Sequence, residues 1–323
     1  MYYSLFLVSS FTIISILSSP IDYDQINKQL NALSEQLDRV ELQLNNSVNQ
    51  LITKLDENNH NITQLIKSLH SSANNNNHHG SSRQVNALLI IDVQYDFING
   101  TLALRNCPSK HNGEEVIPVI NQLLDTLKFD VVVYSHDWHP TDHISFFDNL
   151  HLRSHLLAND SIPLADLQMY STATFAINDL PRMEQTLWPR HCVQNTFGAQ
   201  LHSDLKVLNE DNDQNISIIH IQKGTKPVID SYSAFWDNSK LSETKLNQQL
   251  QDNHVTQVFV TGLATDWCVY STAIHAMENG YKTFIIEDAA RGVDEKAIKE
   301  RLEDFKQKNG HVIQSNQVKD YIQ

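Results

Sequence analysis

The sequence predicts an α/β protein with three layers, in which helices cover both faces of a central parallel sheet of about six strands. Two observations carry this prediction. Short apolar runs read as strands at 86–92, 130–136, 216–222, 256–262, 282–287 and 311–314. Amphipathic helical patterns lie between them at 114–127, 242–253, 267–279 and 294–308. This alternation is typical of a parallel sheet, and a coiled-coil helix is expected to precede the sheet domain.

Residues 1–19 form an uncharged apolar leader that ends in small residues before Pro20. This pattern predicts a signal peptide, with an uncleaved signal anchor as the alternative, because the stretch is only just long enough to span a bilayer. The chain is therefore expected in the secretory pathway, secreted or membrane-anchored. Five N-x-S/T sequons give this expectation weak support and predict a glycoprotein; they lie at Asn45, Asn61, Asn99, Asn159 and Asn215.

A heptad-like pattern with a stutter predicts a coiled-coil helix over residues 25–69. Its apolar positions are Ile26, Leu30, Leu33, Leu37, Val40, Leu44, Val48, Leu51 and Leu55. We expect this helix to make the protein a homo-oligomer; the alternative is an amphipathic helix folded back on the main domain. Residues 71–84 contain no apolar side chain larger than alanine and predict a flexible linker, so the α/β domain is expected to occupy 85–323.

The composition narrows the class of partner. Of the 323 residues, 41% are hydrophobic, which is enough for a substantial core, and the formal net charge is −14. This charge argues against nucleic acid as a partner and favours a small molecule. Three cysteines exclude a scaffold built from disulfides and leave at least one free thiol; we expect no bridge between Cys107 and Cys192.

Three apolar runs end in residues that can act on a carbonyl group. The first run delivers Asp92, the third delivers Lys223, and the fourth ends at Gly262, shortly before Cys268. Ligands of parallel α/β sheets bind beyond the carboxyl ends of the strands, so these side chains are expected to meet as base, charge stabiliser and nucleophile. A strand-to-helix turn and a nearby cation are expected to lower the pKa of Cys268. Considered alone, Cys268 is better explained as a buried apolar residue.

The second strand runs into a loop rich in metal-ligating side chains. Asp137 and His139 project to one side of an extended chain, and His143 and His191 are further candidates. One carboxylate with two or three imidazoles suits one divalent ion, Zn²⁺, Fe²⁺ or Mn²⁺, and ligand softness does not choose among the three, although zinc is the ion we expect. Residues 150–185 form an irregular insertion, with no predicted structure, that could be a lid or a surface excursion.

Six blocks of residues 86–316 resemble the nicotinamidases of the isochorismatase-like cysteine hydrolase superfamily, those of animals in particular. The blocks are IDVQYDF (91–97), SHDWHPTDHISF (135–146), LWPRHCVQNTFG (187–198), KGT (223–225), SYSAF (231–235) and GLATDWCV (262–269). They occur in the order of the family, so the resemblance is specific. It implies the isochorismatase-like, Rossmann-type version of the predicted fold and does not extend to the leader, coiled coil or linker.

Carried over position by position, the resemblance implies a role for each matching residue. The catalytic triad falls on Asp92, Lys223 and Cys268. The metal ligands fall on Asp137, His139 and His191, with His143 as an additional or water-bridged ligand. The resemblance also implies an oxyanion hole from the backbone of Ala264 and Cys268, a cis peptide at 263–264, and a substrate ring held by Phe97, Trp188 and Tyr232.

The activity that the resemblance implies is hydrolysis of nicotinamide to nicotinate and ammonia through a cysteine thioester, with a role in NAD salvage. Two alternatives remain open at this point. The first is a related enzyme acting on another small amide, or on a vinyl ether. The second is a catalytically silent secreted scaffold, which is less expected because no triad or metal residue is missing.

Overall fold

A computed structural model describes residues 83–177, 180–209 and 216–322, together with Lys28 and Ala32. Apart from those two positions, which are helical and exposed, the leader, coiled coil and linker expected over 1–19, 25–69 and 71–84 lie outside the described residues. Every strand and helix named below belongs to the unit Ser82–Gln323. Among the described residues, no helix combines the length and the apolar character that a bilayer span requires.

Eight strands are present in the described part of the chain. They are β1 (Asn86–Ile91), β2 (Val131–Asp137), β3 (Thr172–Phe175), β4 (Met183–Thr186), β5 (Ser217–Lys223), β6 (Gln257–Leu263), β7 (Lys282–Arg291) and β8 (His311–Ile313). Six of them form one sheet in the order β5-β2-β1-β6-β7-β8, and every pair in it is parallel. The predicted six-stranded parallel sheet is confirmed.

The α-helices of the described residues connect or follow these strands. They are α1 (Tyr95–Ile98), α2 (Val116–Thr126), α3 (Leu150–Arg153), α4 (Leu246–Asp252), α5 (Tyr270–Glu278) and α6 (Glu295–Gln307). The four predicted helical stretches correspond to α2, α4, α5 and α6, with ends that differ by a few residues. Between β6 and α5 the chain makes a π-helical turn at Thr265–Val269, which contains the candidate nucleophile.

The sheet is buried on both faces because its side chains alternate between two apolar clusters. In β1, Leu88 and Ile90 pack with α2 on one face, whereas Ala87, Leu89 and Ile91 pack with α4, α5 and α6 on the other. All six residues of β1 are buried. A strand with no solvent-facing side needs a continuous apolar run, which is the pattern that identified it in the sequence.

Residues 150–185, for which the sequence predicted no structure, contain α3 and the antiparallel pair β3–β4. A small apolar cluster that includes Ile144, Phe175 and Leu187 lies beneath this pair. The backbone of Leu187 exchanges hydrogen bonds with Tyr170 and Ser171, at 2.7 and 2.9 Å. The insertion therefore anchors the segment that leads directly into Trp188.

Candidate active site

The three predicted catalytic side chains meet at the carboxyl edge of the sheet. Lys223 Nζ lies 2.9 Å from Asp92 Oδ2 and donates a hydrogen bond to Cys268 Sγ at 3.3 Å. It also donates to the Ser231 carbonyl at 3.0 Å. All three side chains are buried. The central strands end at the same level of the sheet. This alignment brings Asp92 and Cys268 together, although they are 176 positions apart in the sequence.

Asp92 is held in its orientation by its own backbone and by Ser135. Its φ of 49° places it in the left-handed region, which is uncommon for residues other than glycine, at the point where β1 turns away. Ser135 Oγ donates to Asp92 Oδ1 at 2.6 Å and accepts from the Asp92 N–H at 3.2 Å. These contacts leave the second carboxylate oxygen directed toward Lys223.

The charges of the site are balanced around the buried ammonium group. Burial lowers the pKa of Lys223, but the carboxylates of Asp137 and Asp92 outweigh it and hold that pKa well above its ordinary value. Burial raises the pKa of Asp137, but Lys223 and His139 outweigh it and hold the pKa well below the usual range. Burial raises the pKa of Asp92, and the opposing effect of Lys223 does not cancel it. Lys223 is therefore charged, and Asp92 is the carboxylate best suited to accept a proton.

The expectation that Cys268 has a lowered pKa is wrong for the site as the structure shows it. Burial is the largest influence and raises the pKa of the thiol well above its ordinary value; Lys223 opposes this, while Asp92 and Asp137 add to it. Burial of the sulfur, with the negative charges of Asp92 and Asp137, explains the difference, because the expectation considered only the turn and the cation. The thiol therefore needs a base to remove its proton, and Asp92 is the neighbouring group.

A second cluster, formed by Asp137, His139 and His191, adjoins the triad. Donor atoms of these three buried residues all lie within 4.8 Å of one another. Asp137 Oδ2 is 3.4 Å from His139 Nε2 and 3.7 Å from His191 Nε2. Burial lowers the pKa of His139, but the negative charge of Asp137 outweighs it and raises that pKa, so the cluster favours positive charge. Its composition and spacing suit a divalent cation.

Backbone carbonyls orient both imidazoles of this cluster. His139 Nδ1 lies 2.9 Å from the Gly224 carbonyl, and His191 Nδ1 lies 2.7 Å from the Pro189 carbonyl. A carbonyl only accepts hydrogen bonds, so the proton of each neutral ring is on Nδ1 and the lone pair of Nε2 faces Asp137. Ligation of a metal ion through Nε2 requires this tautomer.

The peptide backbone of Asp137 and the chain around His191 are also fixed by buried polar side chains. Gln94 donates to the Asp137 and Ala199 carbonyls at 2.8 and 2.9 Å and accepts from the Asp137 N–H at 2.9 Å. Asp96 Oδ2 accepts from the Cys192 N–H at 2.7 Å, and the Cys192 carbonyl accepts from His139 N–H at 3.0 Å. The IDVQYDF block thus supports the metal cluster as well as carrying Asp92.

His143 is buried next to this cluster, with its ring stacked on His139 at a centroid distance of 4.0 Å. Burial lowers the pKa of His143 well below its ordinary value, and His139 and His191 add to the effect, so the ring is neutral. Its Nε2 is 3.9 Å from Asp230 Oδ1. His143 is thus close to the metal cluster but belongs to a second group of possible donors with His139 and Asp230.

Cys268 of the triad and Asp137 and His191 of the metal cluster line one cavity. The predicted ring-binding residues Phe97, Trp188 and Tyr232 line it, together with Ala264 and Cys268. The peptide between Leu263 and Ala264 is cis, as expected. The structure therefore places the predicted substrate residues, the predicted oxyanion residues and the nucleophile around the same space.

Trp267 and Asp230 are among the lining residues that the sequence did not predict. Trp267 makes edge-to-face contacts with both Trp188 and Tyr232, with centroid distances of 4.9 Å in each case. Asp230 contributes a buried carboxylate on the side of Asp137 and His191. In the sequence, Trp267 directly precedes Cys268 and Asp230 directly precedes the SYSAF block. This adjacency is the signal that could have pointed to both residues.

The three-layer fold, and the cysteine, lysine and aspartate that it brings together, are those expected of a hydrolase with a candidate cysteine nucleophile. Residues 86–317 match the isochorismatase domain family, and the chain belongs to that family. It is similar to a nicotinamidase of Escherichia coli (strain K12), with 35% identity over 211 residues, which cover 64% of this chain and 84% of the relative.

Solved structures show the same likeness. An Acinetobacter baumanii nicotinamidase/pyrazinamidase superimposes with a TM-score of 0.59 and 34% identity, covering 74% of this chain and 100% of its own. A structure of PnC1 from L. infantum in complex with nicotinate superimposes with a TM-score of 0.54 and 30% identity, covering 74% of this chain and 96% of its own. The likeness thus extends over nearly the whole length of each solved chain and over 74% of this one.

Proposed function

We propose that this protein is a nicotinamidase, which hydrolyses nicotinamide to nicotinate and ammonia and so serves NAD salvage. The observation that carries the proposal is the contact of Lys223 with both Asp92 and Cys268 at the edge of an aromatic cavity whose other side is the Asp137–His139–His191 cluster. The nicotinamidases among its relatives and the nicotinate-bound neighbour support it.

The first half of the reaction forms a thioester. Asp92 takes the proton of Cys268, and the resulting thiolate attacks the carboxamide carbon. The ammonium group of Lys223 compensates the negative charge of Asp92 and Cys268 throughout these steps. The amide nitrogen is a poor leaving group, so Asp92 returns the proton to it as the C–N bond breaks, and ammonia departs.

The second half regenerates the enzyme. Asp92 accepts a proton from a water molecule, whose oxygen attacks the thioester carbon, and the C–S bond breaks. Asp92 then returns the proton to the sulfur of Cys268, and the product loses its acid proton to solvent and leaves as nicotinate. The backbone N–H groups of Ala264 and Cys268 stabilise the tetrahedral oxyanion in both halves, and each good donor contributes about 3–4 kcal/mol. The buried setting strengthens these contacts because little water competes for the oxyanion.

The aromatic cavity selects a flat ring. Phe97, Trp188, Tyr232 and Trp267 line it, and their faces and edges suit a planar heteroaromatic amide. Apart from Asp137, His191, Asp230 and Cys268, the lining is largely apolar or aromatic. The carboxamide is the polar end of the substrate and therefore faces the polar side chains of the cavity.

The donor set of Asp137, His139 and His191 fits a divalent ion, because each imidazole presents the lone pair of Nε2 beside the carboxylate. One carboxylate and two imidazoles suit zinc well, and iron or manganese less specifically. When bound, the ion supplies a Lewis acid for the pyridine nitrogen and thereby helps to position the ring. Backbone carbonyls orient His139 and His191, and the carboxylate of Asp137 balances the positive charge of Lys223.

A substrate panel tests the proposed activity. The full-length, zinc-loaded protein should release ammonia from nicotinamide far faster than from acetamide or benzamide, and should not hydrolyse the vinyl ether of isochorismate. Preferred hydrolysis of another amide or of isochorismate would reassign the substrate within the family. No turnover of any of them, in a folded and zinc-containing protein, would contradict an enzymatic function.

We also propose that residues 25–69 assemble the protein into oligomers through their heptad positions. The variant Leu37→Asp/Leu44→Asp places charges in the apolar seam and should lower the mass measured by light scattering. The matched control Glu35→Asp/Glu41→Asp changes polar positions and should keep the mass of the unmodified chain. Equal masses for all three proteins would contradict assembly through this segment.

Secretion is a separate proposal, supported by the apolar leader and by the sequons. Asn99 and Asn159, the two sequon asparagines within the described residues, are both exposed and accessible to a glycan. Expression of the full chain in a secretory host should yield material that is sensitive to a glycosidase specific for N-linked glycans. Exclusive recovery from the cytosol without glycan would contradict this proposal.

A further inference from the structure

Gln185 carries a buried amide that belongs neither to the triad nor to the metal cluster. It is the third residue of β4, where it pairs with Ala173 of β3, and it is almost completely buried. Ala173, Phe175 and Met183 of the same strand pair pack in the apolar cluster beneath the insertion, so the backbone that carries the amide is fixed. A buried polar group in such a setting is expected to serve specific hydrogen-bond partners.

The amide nitrogen of Gln185 faces three acceptors. Nε2 donates to the Thr186 carbonyl at 2.9 Å, to Asp230 Oδ2 at 3.1 Å and to the Tyr232 hydroxyl at 3.3 Å. A backbone carbonyl only accepts, so the NH₂ group and not the amide oxygen points toward these partners. Asp230 and Tyr232 both line the ring cavity. The amide therefore holds two residues of the cavity wall.

The ring of Tyr232 is held at both ends. Its hydroxyl accepts from Gln185, and its aromatic face or edge meets Trp267 at a centroid distance of 4.9 Å. Burial raises the pKa of Tyr232 and the charge of Asp230 adds to the effect, so the hydroxyl is neutral. The backbone has a separate anchor, because Tyr232 N–H donates to Asn238 Oδ1 at 2.9 Å and Asn238 N–H donates to the Asp230 carbonyl at 2.8 Å. Loss of Gln185 would therefore release side chains and leave the backbone anchored.

We infer that Gln185 is a positioning residue that sets the width of the ring cavity by holding Tyr232 against Trp267. Without the amide, the Tyr232 hydroxyl loses a buried donor, and Asp230 keeps the Ser231 N–H at 2.7 Å but loses its second donor. Buried polar groups that lose a partner move toward other partners or water, because leaving them unpaired is costly. The Tyr232 ring then tilts away from Trp267, and the cavity admits wider rings.

This inference rests on the proposed function and adds to it a selection among ring-substituted amides. It also assigns a role to residues 150–185, because Gln185 is the last residue of that insertion and the β3–β4 pair fixes its place. Gln185 acts through Tyr232 and not on the reacting atoms. Its loss should therefore change which rings are accepted more than it changes the chemistry at the carboxamide.

The variant Gln185→Met tests the inference in the full-length, zinc-loaded protein. Methionine is unbranched and close to glutamine in length but donates no hydrogen bond. The substrates are nicotinamide, 5-methylnicotinamide and 6-methylnicotinamide, and the readout is kcat/KM for ammonia release. A well-shaped pocket discriminates against one misplaced methyl group by about 10- to 200-fold. The preference for nicotinamide over at least one methylated amide should fall about tenfold in the variant.

Glu184→Met is the matched control, because Glu184 precedes Gln185 on β4 and its side chain is exposed. This control should keep the preferences of the unmodified protein. A general loss of stability lowers the rates for all three amides equally and leaves their ratios unchanged. If Gln185→Met lowers the rates but keeps both ratios, Gln185 has only a structural role and the inference is overturned.

Tyr232→Phe shows whether the effect passes through the hydroxyl. It removes one of the two cavity-wall contacts of Gln185, so it should shift the preference in the same direction by a smaller factor. The double variant Gln185→Met/Tyr232→Phe should resemble Gln185→Met, because the contact is already lost there. Independent effects that multiply in the double variant would contradict action through Tyr232.

Binding of nicotinate gives a readout without turnover. Trp188 and Trp267 line the cavity, so tryptophan fluorescence should report its occupation. Gln185→Met should bind nicotinate about tenfold more weakly than the unmodified protein, and Glu184→Met should bind it equally well. Equal affinity for Gln185→Met would count against the inference. Failure of the proposed function would look different, because the unmodified protein would then release no ammonia from nicotinamide.

Discussion

One oxygen of Asp137 accepts a hydrogen bond from Lys223 Nζ, while its other oxygen faces the imidazoles of the metal cluster. The two residues are paired in register at the ends of the adjacent strands β2 and β5. The carboxylate therefore links the catalytic triad to the metal site. Loss of the Lys223 ammonium group therefore changes the charge balance of the metal cluster, and loss of a bound ion changes the charge balance of the triad.

Replacing Lys223 with methionine should damage both stability and catalysis. The buried carboxylates of Asp92 and Asp137 would lose their shared counter-charge, which for a broken buried pair costs about 3–5 kcal/mol. Ammonia release should fall about 100-fold or more, because the charge that stabilises the reacting groups is gone. Urea unfolding and a steady-state assay measure the two effects. Lys226→Met, at an exposed position two residues beyond Gly224, is the matched control and should change neither.

Removing the metal should erase the preference for a pyridine ring. The zinc-loaded protein should hydrolyse nicotinamide far better than benzamide, which has no ring nitrogen, because the ion positions only the former. After chelation, or in His191→Ala, nicotinamide turnover should fall toward the benzamide rate while that rate changes little. The assay is ammonia release with both amides before and after zinc is restored. A preference that survives complete zinc removal would contradict this role.

The sequence was sufficient to predict the sheet and the centre of the site. Asp92, Lys223 and Asp137 stand at the ends of β-branched apolar runs, and a parallel sheet brings such ends to one edge. Cys268 follows the same rule, one π-helical turn beyond β6.

Other properties of the site depend on tertiary contacts. The raised pKa of Cys268 reflects burial and two carboxylates from distant strands. Asp230 lines the cavity because the chain after β5 brings it beside His143, and a lone aspartate in that stretch forms no pattern in the sequence. The β3–β4 pair was not predicted because its strands are short and its residues mixed in polarity, so no periodic pattern marks them.

Trp267 should contribute mainly to substrate binding. It packs against Trp188 and Tyr232 at the cavity wall, and loss of such aromatic contacts costs about 0.5–1.5 kcal/mol beyond area burial. Trp267→Ala should therefore raise KM for nicotinamide about tenfold, with a smaller change in kcat. Phe197→Ala is the control, because this ring is 64% exposed and stacks on Tyr95 outside the cavity. Equal KM values for the two variants would exclude a binding role for Trp267.

His136 should make the folded state sensitive to mild acid. Burial, with a further contribution from His220, lowers the pKa of His136 to about 4. Its folded pKa is below the unfolded value, so the unfolded state binds more protons, and stability is lost as the pH falls from about 6.5 toward 4. Between pH 7 and pH 5 this residue should account for about 2 kcal/mol of the loss.

Urea unfolding of His136→Gln at these two pH values checks this prediction. The variant should lose less stability on acidification than the unmodified chain. His155→Gln, at an exposed position, should behave like the unmodified chain. An unchanged acid sensitivity in His136→Gln would show that other groups, such as the buried His143, are responsible.

Ammonia release from nicotinamide by the full-length, zinc-loaded Cys268→Ala variant tests the central claim most directly. The unmodified protein and Cys107→Ala, which alters a buried thiol away from the triad, should both release ammonia. Cys268→Ala should show only the background rate while keeping its zinc content and its unfolding midpoint. Turnover by Cys268→Ala at a rate comparable to the unmodified protein would contradict the assignment of this sulfur as the nucleophile.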